Sequence, residues 1–310
     1  MTKARKAVGY FGYRAVLVIV AVMIATLLIL ESDGVRQSLL DGASLSIRVV
    51  IPSVFPFMVL SELISTTMGV SGGRISSGIA RFLGIPTAAL PCVICGNIFG
   101  FPTGARGAEA VYGDRDTEGK TRCTAIASNP SLAYIISGVG AGIYESVLVG
   151  ALLYLIVLTA TLICAIVWRY KSNEYLFQIQ NTRQKFILSK SIFSAGVSCL
   201  GITASISFFC ALAFLIREVF CEPISTIATL LLEVSGAVNF LTSADIGDEL
   251  KLALTAFVLS FSGISAAVQC SAETNGKLSI GRFILIKLTE AIIAFILAIL
   301  IFNSIRAVGQ

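Results

Sequence analysis

Arg106 stands just beyond Pro102 and Gly104, at the end of an apolar run that reads ICGNIFGFPTGARGAE from Ile94 to Glu109. Its guanidinium is a permanent cation whose planar fork of donors matches a carboxylate. Pro removes a backbone donor and Gly relaxes φ, so a helix entering here ends or unwinds. In lipid, freed N–H and C=O groups are tolerated only where protein or a polar cavity surrounds them. A broken apolar helix with a charge beside it therefore reads as a binding site, with Phe101, Thr103, Gly104 and Arg106 at its centre. The plain alternative for Arg106 is an arginine that snorkels to the headgroups.

Other side chains of this kind are scattered through the apolar runs. Asn97, Asn129 and Gln269 carry amides that must find partners or incur a cost of about 1–3 kcal/mol each. They can contact a substrate or bond helix to helix. Asn129-Pro130-Ser131 reads as a helix start, with Asn as cap and Pro in the first turn, so its amides face outward. Amides at such half-helix N-termini, here and at Thr103 to Arg106, favour an anion. A second break is expected at Ser260-Phe261-Ser262-Gly263-Ile264-Ser265, where Ser262, Gly263 and Ser265 divide between ligand contact and close helix packing. Glu62 and Glu233 are the acids expected within the membrane, each able to carry a coupling proton or bind Na⁺, or else to pair with Arg48 or Lys287. Lys287 and Glu290 are spaced to pair on one helix face. Glu109, Glu145 and Glu273 lie near predicted helix ends and are expected at the interface.

Composition decides the medium. Of 310 residues 56% are hydrophobic and only 13% charged, about half the charge of a soluble chain. With a mean hydropathy of +0.89, the class is an all-α polytopic membrane protein. The net charge of +5 comes from short loops flanking apolar runs, which fits membrane topology rather than nucleic-acid binding. The chain has no His, the commonest metal ligand and usual general base, so an enzyme is not expected, nor a metal or cofactor. Cys92 and Cys95 form a CxxC that no second pair completes, and they read as helix packing. The basic start (Lys3, Arg5, Lys6) before Ala15 to Leu30 resembles a secretory signal without a cleavage site and reads as a retained first helix.

Along the chain, Gly42 to Ile64 contains Pro52 and Pro56, which predicts a helical hairpin or a sharp kink. Interrupted runs follow at Ala88 to Phe101 and Ala125 to Tyr144, then a clean span from Val147 to Trp168. Residues 169–190 form a basic linker, cytoplasmic by charge, and the N-terminus belongs on the same side. Ile192 to Ile216 carries small residues suited to close packing, Ile224 to Leu241 breaks at Glu233, Leu250 to Val268 breaks near Gly263, and Arg282 to Phe302 closes the chain. Two halves, 1–168 and 191–310, thus share one plan of paired breaks, and residues 55–64 align on 207–216. The expectation is about eight transmembrane helices with broken or re-entrant elements, built as an inverted repeat, with the C-terminus on the far side.

The blocks IPSVFPFMVLSELI, GNIFGFPTGARGAEA with SNPSLAYIISGVG, and LLEVSGAV followed by LSFSGISAAVQ resemble the YlbJ (SpoVV) family of sporulation integral membrane proteins. That family belongs to the nucleoside-recognition or gate-domain group and is similar to concentrative nucleoside transporters. The resemblance covers about Gly42 to Phe302. It implies a carrier that moves dipicolinate, a flat aromatic dianion, across the outer forespore membrane, with a nucleoside or other small metabolite, or a non-transporting role in spore-envelope assembly, as alternatives. The family pattern usually has Lys where this chain has Arg106 and often Gly-Gly where it has Ser262-Gly263. Expected partners are a small anion, a coupling proton or Na⁺, the bilayer and possible further copies of the chain.

Overall fold

The structure, a computed structural model, describes residues 18–19, 21–67, 74–169 and 187–308, with the backbone alone for 61–67 and 305–308. Among these residues every regular element is helical. Five stretches are long and apolar enough to cross a membrane: Ser32–Leu60, Val147–Val167, Leu188–Val219, Asp248–Glu273 and Ile280–Ser304. At 1.5 Å per residue the 21-residue Val147–Val167 reaches about 30 Å, the depth of the hydrocarbon core. The architecture is that of an α-helical multi-pass membrane protein. The basic N-terminus and most of the basic linker lie outside the described residues.

Helix α1 (Ala21–Leu30) precedes α2 (Ser32–Leu45), which runs through a π-helical turn (Ser46–Val50) into α3 (Ile51–Thr67). The predicted hairpin at Pro52 and Pro56 is corrected here, because Ser32–Leu60 is one span. The π-turn widens the backbone where the Pro52 ring would otherwise strike the preceding turn, and the Ile51 amide bonds Ser46 O instead. The amphipathic helix α4 (Arg74–Leu83) follows and meets the next segment at 90°.

Helices α5 (Leu90–Phe99) and α6 (Phe101–Tyr112) fold back on each other. Cys92 meets Gly107 and Gly96 meets Gly104, so the pair is an antiparallel hairpin whose tip is Gly100. Gly100 has φ +103°, which a side-chain-bearing residue rarely adopts. The hairpin also needs Gly104, because a Cβ there would lie 2.0 Å from Ala127 O of the neighbouring segment. Helix α7 (Thr117–Ile126) runs inward from the hairpin's base, breaks over 127–131, and resumes as a π-helical stretch (Tyr134–Ala141). Helix α8 (Val147–Val167) returns.

The second half begins with α9 (Leu188–Val219), which packs along α2: Ser46 bonds Thr203, and Gly42 touches Ser207. Helices α10 (Ile224–Leu232) and α11 (Val234–Ser243) turn at Glu233, whose backbone is extended. They are followed by α12 (Asp248–Phe261) and α13 (Gly263–Glu273), separated by Ser262 in the left-handed region at φ +65°. Helix α14 (Ile280–Val308) runs antiparallel to α8, with Thr161 facing Glu290 and Cys164 facing Ile286.

These contacts fix two ends. At the linker end Arg169 and Lys190 stand with the loops that join α6 to α7 and α13 to α14. Ion pairs tie those loops: Arg106 to Glu273, Lys120 to Glu109, Lys277 to Asp114 and Arg282 to Glu118. Lys277 holds the Asp114 carboxyl below the usual carboxylate range, and Asp114 in turn raises the Lys277 ammonium. Arg122 gathers the carbonyls of Leu83, Gly84, Ala165 and Trp168, pinning α4 to the end of α8. At the opposite end Tyr144, just before α8, bonds Thr255, and Lys251 bonds Thr242 at the close of α11. The α5–α6 hairpin therefore enters from the linker end and the α10–α11 hairpin from the opposite end.

Candidate functional site

The two hairpin tips meet at one cavity of about 30 Å³. Gly100, Phe101 and Pro102 line it from the first hairpin, and Glu233, Val234 and Ser235 from the second. Pro130, Ser131 and Tyr134 reach it from the broken α7 segment, and Gln269 from α13. Each of these three turns opens a helix toward the cavity: α6 at Phe101, the π-helical stretch after Ser131, and α11 at Val234. The opening turns of a helix carry amides without intrahelical partners and partial positive charge. Some are capped locally, since Tyr134 N donates to Ser131 Oγ (3.1 Å) and Gly236 N to Glu233 Oε2 (2.6 Å). N-termini of this kind suit an anion, and at α11 that anion is the Glu233 carboxylate itself. The walls are apolar, with Val50 and Val54 facing Ile202 and Ile206, and Phe101 and Tyr134 supply ring faces. The volume is on the scale of one or a few water molecules, so a larger ligand requires the tips to part.

Larger cavities flank it. Toward the linker end an open cavity of about 810 Å³ shares Pro102, Ile202 and Gln269 with the central one. Arg106, Lys190, Glu273 and a row of small α9 residues, Ser194, Ser198, Gly201 and Ser205, line it. Arg106 donates to both Glu273 oxygens at 3.0 and 2.9 Å and to Ser198 Oγ at 2.9 Å. Gln269 Nε2 donates to Ser205 Oγ at 2.9 Å. Toward the opposite end a cavity of about 350 Å³ is lined by Asp41, Arg217, Asn239 and Thr229 and shares Glu233 with the centre. Glu233 is only 4% exposed. Cavity, constriction and cavity thus follow one another through the molecule.

The predicted site residues separate into two groups. Phe101, Ser131, Arg106, Gln269 and Glu233 line these cavities. Asn97, Thr103, Gly104, Asn129, Ser262, Gly263 and Ser265 do not. Thr103 and Gly104 form the first turn of α6 on Gly100 O. Ser262 Oγ bonds Ser128 O and Leu259 O, and a Cβ on Gly263 would lie 2.9 Å from Leu232 O, so the second break packs against the second hairpin. The side chain of Glu62 lies outside the described residues.

Asn97 and Asn129 belong to a buried polar knot beside the cavity. Asn97 Nδ2 donates to Val93 O and Ile126 O, capping the end of α7. Asn129 Nδ2 donates to Asn97 Oδ1 and Thr161 Oγ1, while Asn129 Oδ1 accepts from Lys287 Nζ at 2.7 Å. Thr161 donates to Glu290 Oε1, and Lys287 Nζ reaches Glu290 Oε2 at 3.0 Å. The reading of Asn129 as a helix cap is corrected: Ser131 caps, and Asn129 is taken by Lys287 because its amide can accept and donate at once. Cys92 packs against Gly107 inside the first hairpin.

Residues absent from the sequence reading include Tyr134, Ser235 and the α9 row. The row recurs at helical spacing, Ser194, Ser198, Gly201, Ser205, and was legible as one face. Of the small α9 residues expected to serve close packing, Thr203 and Ser207 do so against α2, whereas a Cβ on Gly201 would meet nothing and its row walls a cavity. Glu273, expected at the interface, holds Arg106 in that cavity. No family model, curated protein or solved structure matches the chain.

Proposed function

We propose that the chain is a secondary carrier of a small organic anion, with dipicolinate as substrate and the outer forespore membrane as its place, on the resemblance of its motif blocks to those of the YlbJ family. The observation that carries the reading is the meeting of three half-helix N-termini at one cavity, with a larger cavity on either side. N-termini and Arg106 bind carboxylates, the Phe101 and Tyr134 faces take a flat ring, and the Gln269 amide serves the ring nitrogen. Arg106 exchanges the Glu273 carboxylate for one on the substrate, and the hairpin tips then part toward one end or the other. Glu233, common to the central and far cavities, is the place for a coupling proton.

The proposed plan is an inverted repeat after α1: α2–α3, hairpin, broken span and α8, then α9, hairpin, broken span and α14. The alignment that lays 55–64 on 207–216 also carries Val50 and Val54 onto Ile202 and Ile206, four residues that face one another across the cavity, which supports the plan. On this plan the chain crosses seven times and dips twice, one crossing fewer than the eight expected, because α5 returns through α6. The N-terminus and the basic linker then share the cytoplasmic side.

Uptake of labelled dipicolinate into proteoliposomes tests the reading. Saturable uptake that Arg106→Ala weakens and excess adenosine or uridine leaves unchanged is expected. Saturable uptake of labelled adenosine or uridine with no dipicolinate uptake transfers the site to that substrate. Absence of uptake of either, with spores of Arg106→Ala cells normal in dipicolinate, points to the envelope-assembly role.

A further inference from the structure

The breaks that turn N-termini toward the cavity turn C-termini the other way. Helix α7 ends at Ile126 and α12 at Phe261, and the two ends meet, since Ser262 Oγ donates to Ser128 O at 3.2 Å. Helix C-termini carry partial negative charge, and unwound carbonyls beside them form the usual intramembrane seat of a small cation. At this break the carbonyls of Ile126 and Ser128 accept from Asn97 Nδ2 and Ser262 Oγ, and the cation beside them is the Lys287 ammonium, fully buried, which comes from α14 and is held by Asn129 Oδ1 at 2.7 Å and Glu290 Oε2 at 3.0 Å. The Glu290 carboxylate is also fully buried, and its other oxygen accepts from Thr161. A carboxylate and an amide oxygen around one positive charge would equally ligate an alkali-metal ion, a hard cation that prefers oxygen.

We propose that Lys287 is a tethered cation standing where a mobile alkali-metal ion would otherwise bind, so that the carrier turns over without a sodium or potassium gradient at this junction. The claim rests on the carrier reading for its consequence and on the knot alone for its chemistry. An ammonium on a side chain has the charge of the ion but cannot leave with the substrate. The seat is therefore structural in every conformation, and any coupling charge must move elsewhere. Truncating the side chain removes the tethered charge and leaves the Glu290 carboxylate and the Asn129 amide oxygen facing a space that an ion can enter.

The test is thermal unfolding of the purified chain in sodium, lithium, potassium or choline chloride at equal ionic strength, together with uptake in the same salts. Wild type is expected to unfold at the same temperature in all four. Lys287→Ala is expected to unfold several degrees lower in choline and to recover with a saturating dependence on one alkali ion, as binding to the folded state requires. Lys287→Ala/Glu290→Gln, lacking the carboxylate, should lose that response. A Lys287→Ala midpoint equal in choline and alkali salts overturns the proposal and leaves an ordinary ion pair. So does a wild-type midpoint with the same alkali dependence, or failure to recover Lys287→Ala in any alkali salt, since the ion is expected to restore its charge balance. In uptake, wild type should be indifferent to sodium and Lys287→Ala should depend on it. If wild type transports nothing, the carrier reading fails, while the unfolding series still decides the cation seat.

Discussion

The central cavity and the polar knot lie side by side at the break after α7, yet one is walled mainly by apolar side chains and the other is built of polar ones. At the cavity, N-terminal ends meet among apolar walls with little room; at the knot, Asn97, Asn129, Thr161, Lys287 and Glu290 complete one another's hydrogen bonds. A buried network whose members hydrogen-bond one another rigidifies its surroundings. The knot therefore ties the first hairpin to α8 and α14 through hydrogen bonds. The second hairpin is held largely by apolar packing, with Leu232 against Phe209 and Ala213 of α9 and with Ala237, Val238 and Leu241 in the central core, and α9 presents a row of small residues to the larger cavity.

Substitutions should separate the two regions by size of effect. The largest is expected in the knot: Lys287→Met in choline buffer leaves Glu290 uncompensated and should cost about 3–5 kcal/mol in thermal or denaturant unfolding. Lys287→Met/Glu290→Met should recover most of it, because an apolar pair of similar volume replaces a buried ion pair at little net cost. Next comes Gly104→Ala, whose methyl group would strike Ala127 O. A loss of about 1–3 kcal/mol is expected, with the α5–α6 hairpin displaced from α7 and cysteine labelling near Gly100 increased. In the transport path the effect moves from stability to affinity. Arg106→Ala should raise the half-saturating dipicolinate concentration about tenfold, equivalent to about 1.4 kcal/mol, with an unchanged unfolding midpoint. Glu273→Gln, which weakens the competitor for the guanidinium, should lower it. The smallest effect belongs to Asp114→Asn at the exposed rim, where solvent screens the pair with Lys277. The lowered carboxyl contributes above its unfolded value and loses that contribution as pH falls through its folded value. The raised ammonium contributes below its unfolded value and loses that contribution as pH rises through its folded value. A pH series of unfolding midpoints should show Asp114→Asn differing from wild type only in the neutral window between.

Much of this plan is legible in the residues. Gly100, Pro102, Glu233-Val234-Ser235-Gly236 and Ser262-Gly263 mark the breaks because φ freedom, a missing donor or a capping acid is written in each residue type. Their direction is not, since a Gly in a helix does not say whether the chain continues or returns; the facing of Gly96 and Gly104 decides that through tertiary contact. Pro52 and Pro56 were misleading for a local reason, the π-turn at Ser46–Val50, which no residue type announces. Asn129 was legible as a polar group needing partners but not as the acceptor of an ammonium 158 positions away. The α9 row shows the opposite case, a pattern present in plain spacing whose meaning depends on whether a neighbour covers it.

The most direct test of the central claim is labelling of a single cysteine at position 235, introduced by Ser235→Cys into a chain whose eight native cysteines are replaced, by a water-soluble thiol reagent with and without dipicolinate. The account predicts slow labelling that dipicolinate slows further, with about tenfold more dipicolinate needed for the same protection in Arg106→Ala. A labelling rate indifferent to dipicolinate in a folded protein that binds it would place the anion elsewhere and contradict the account.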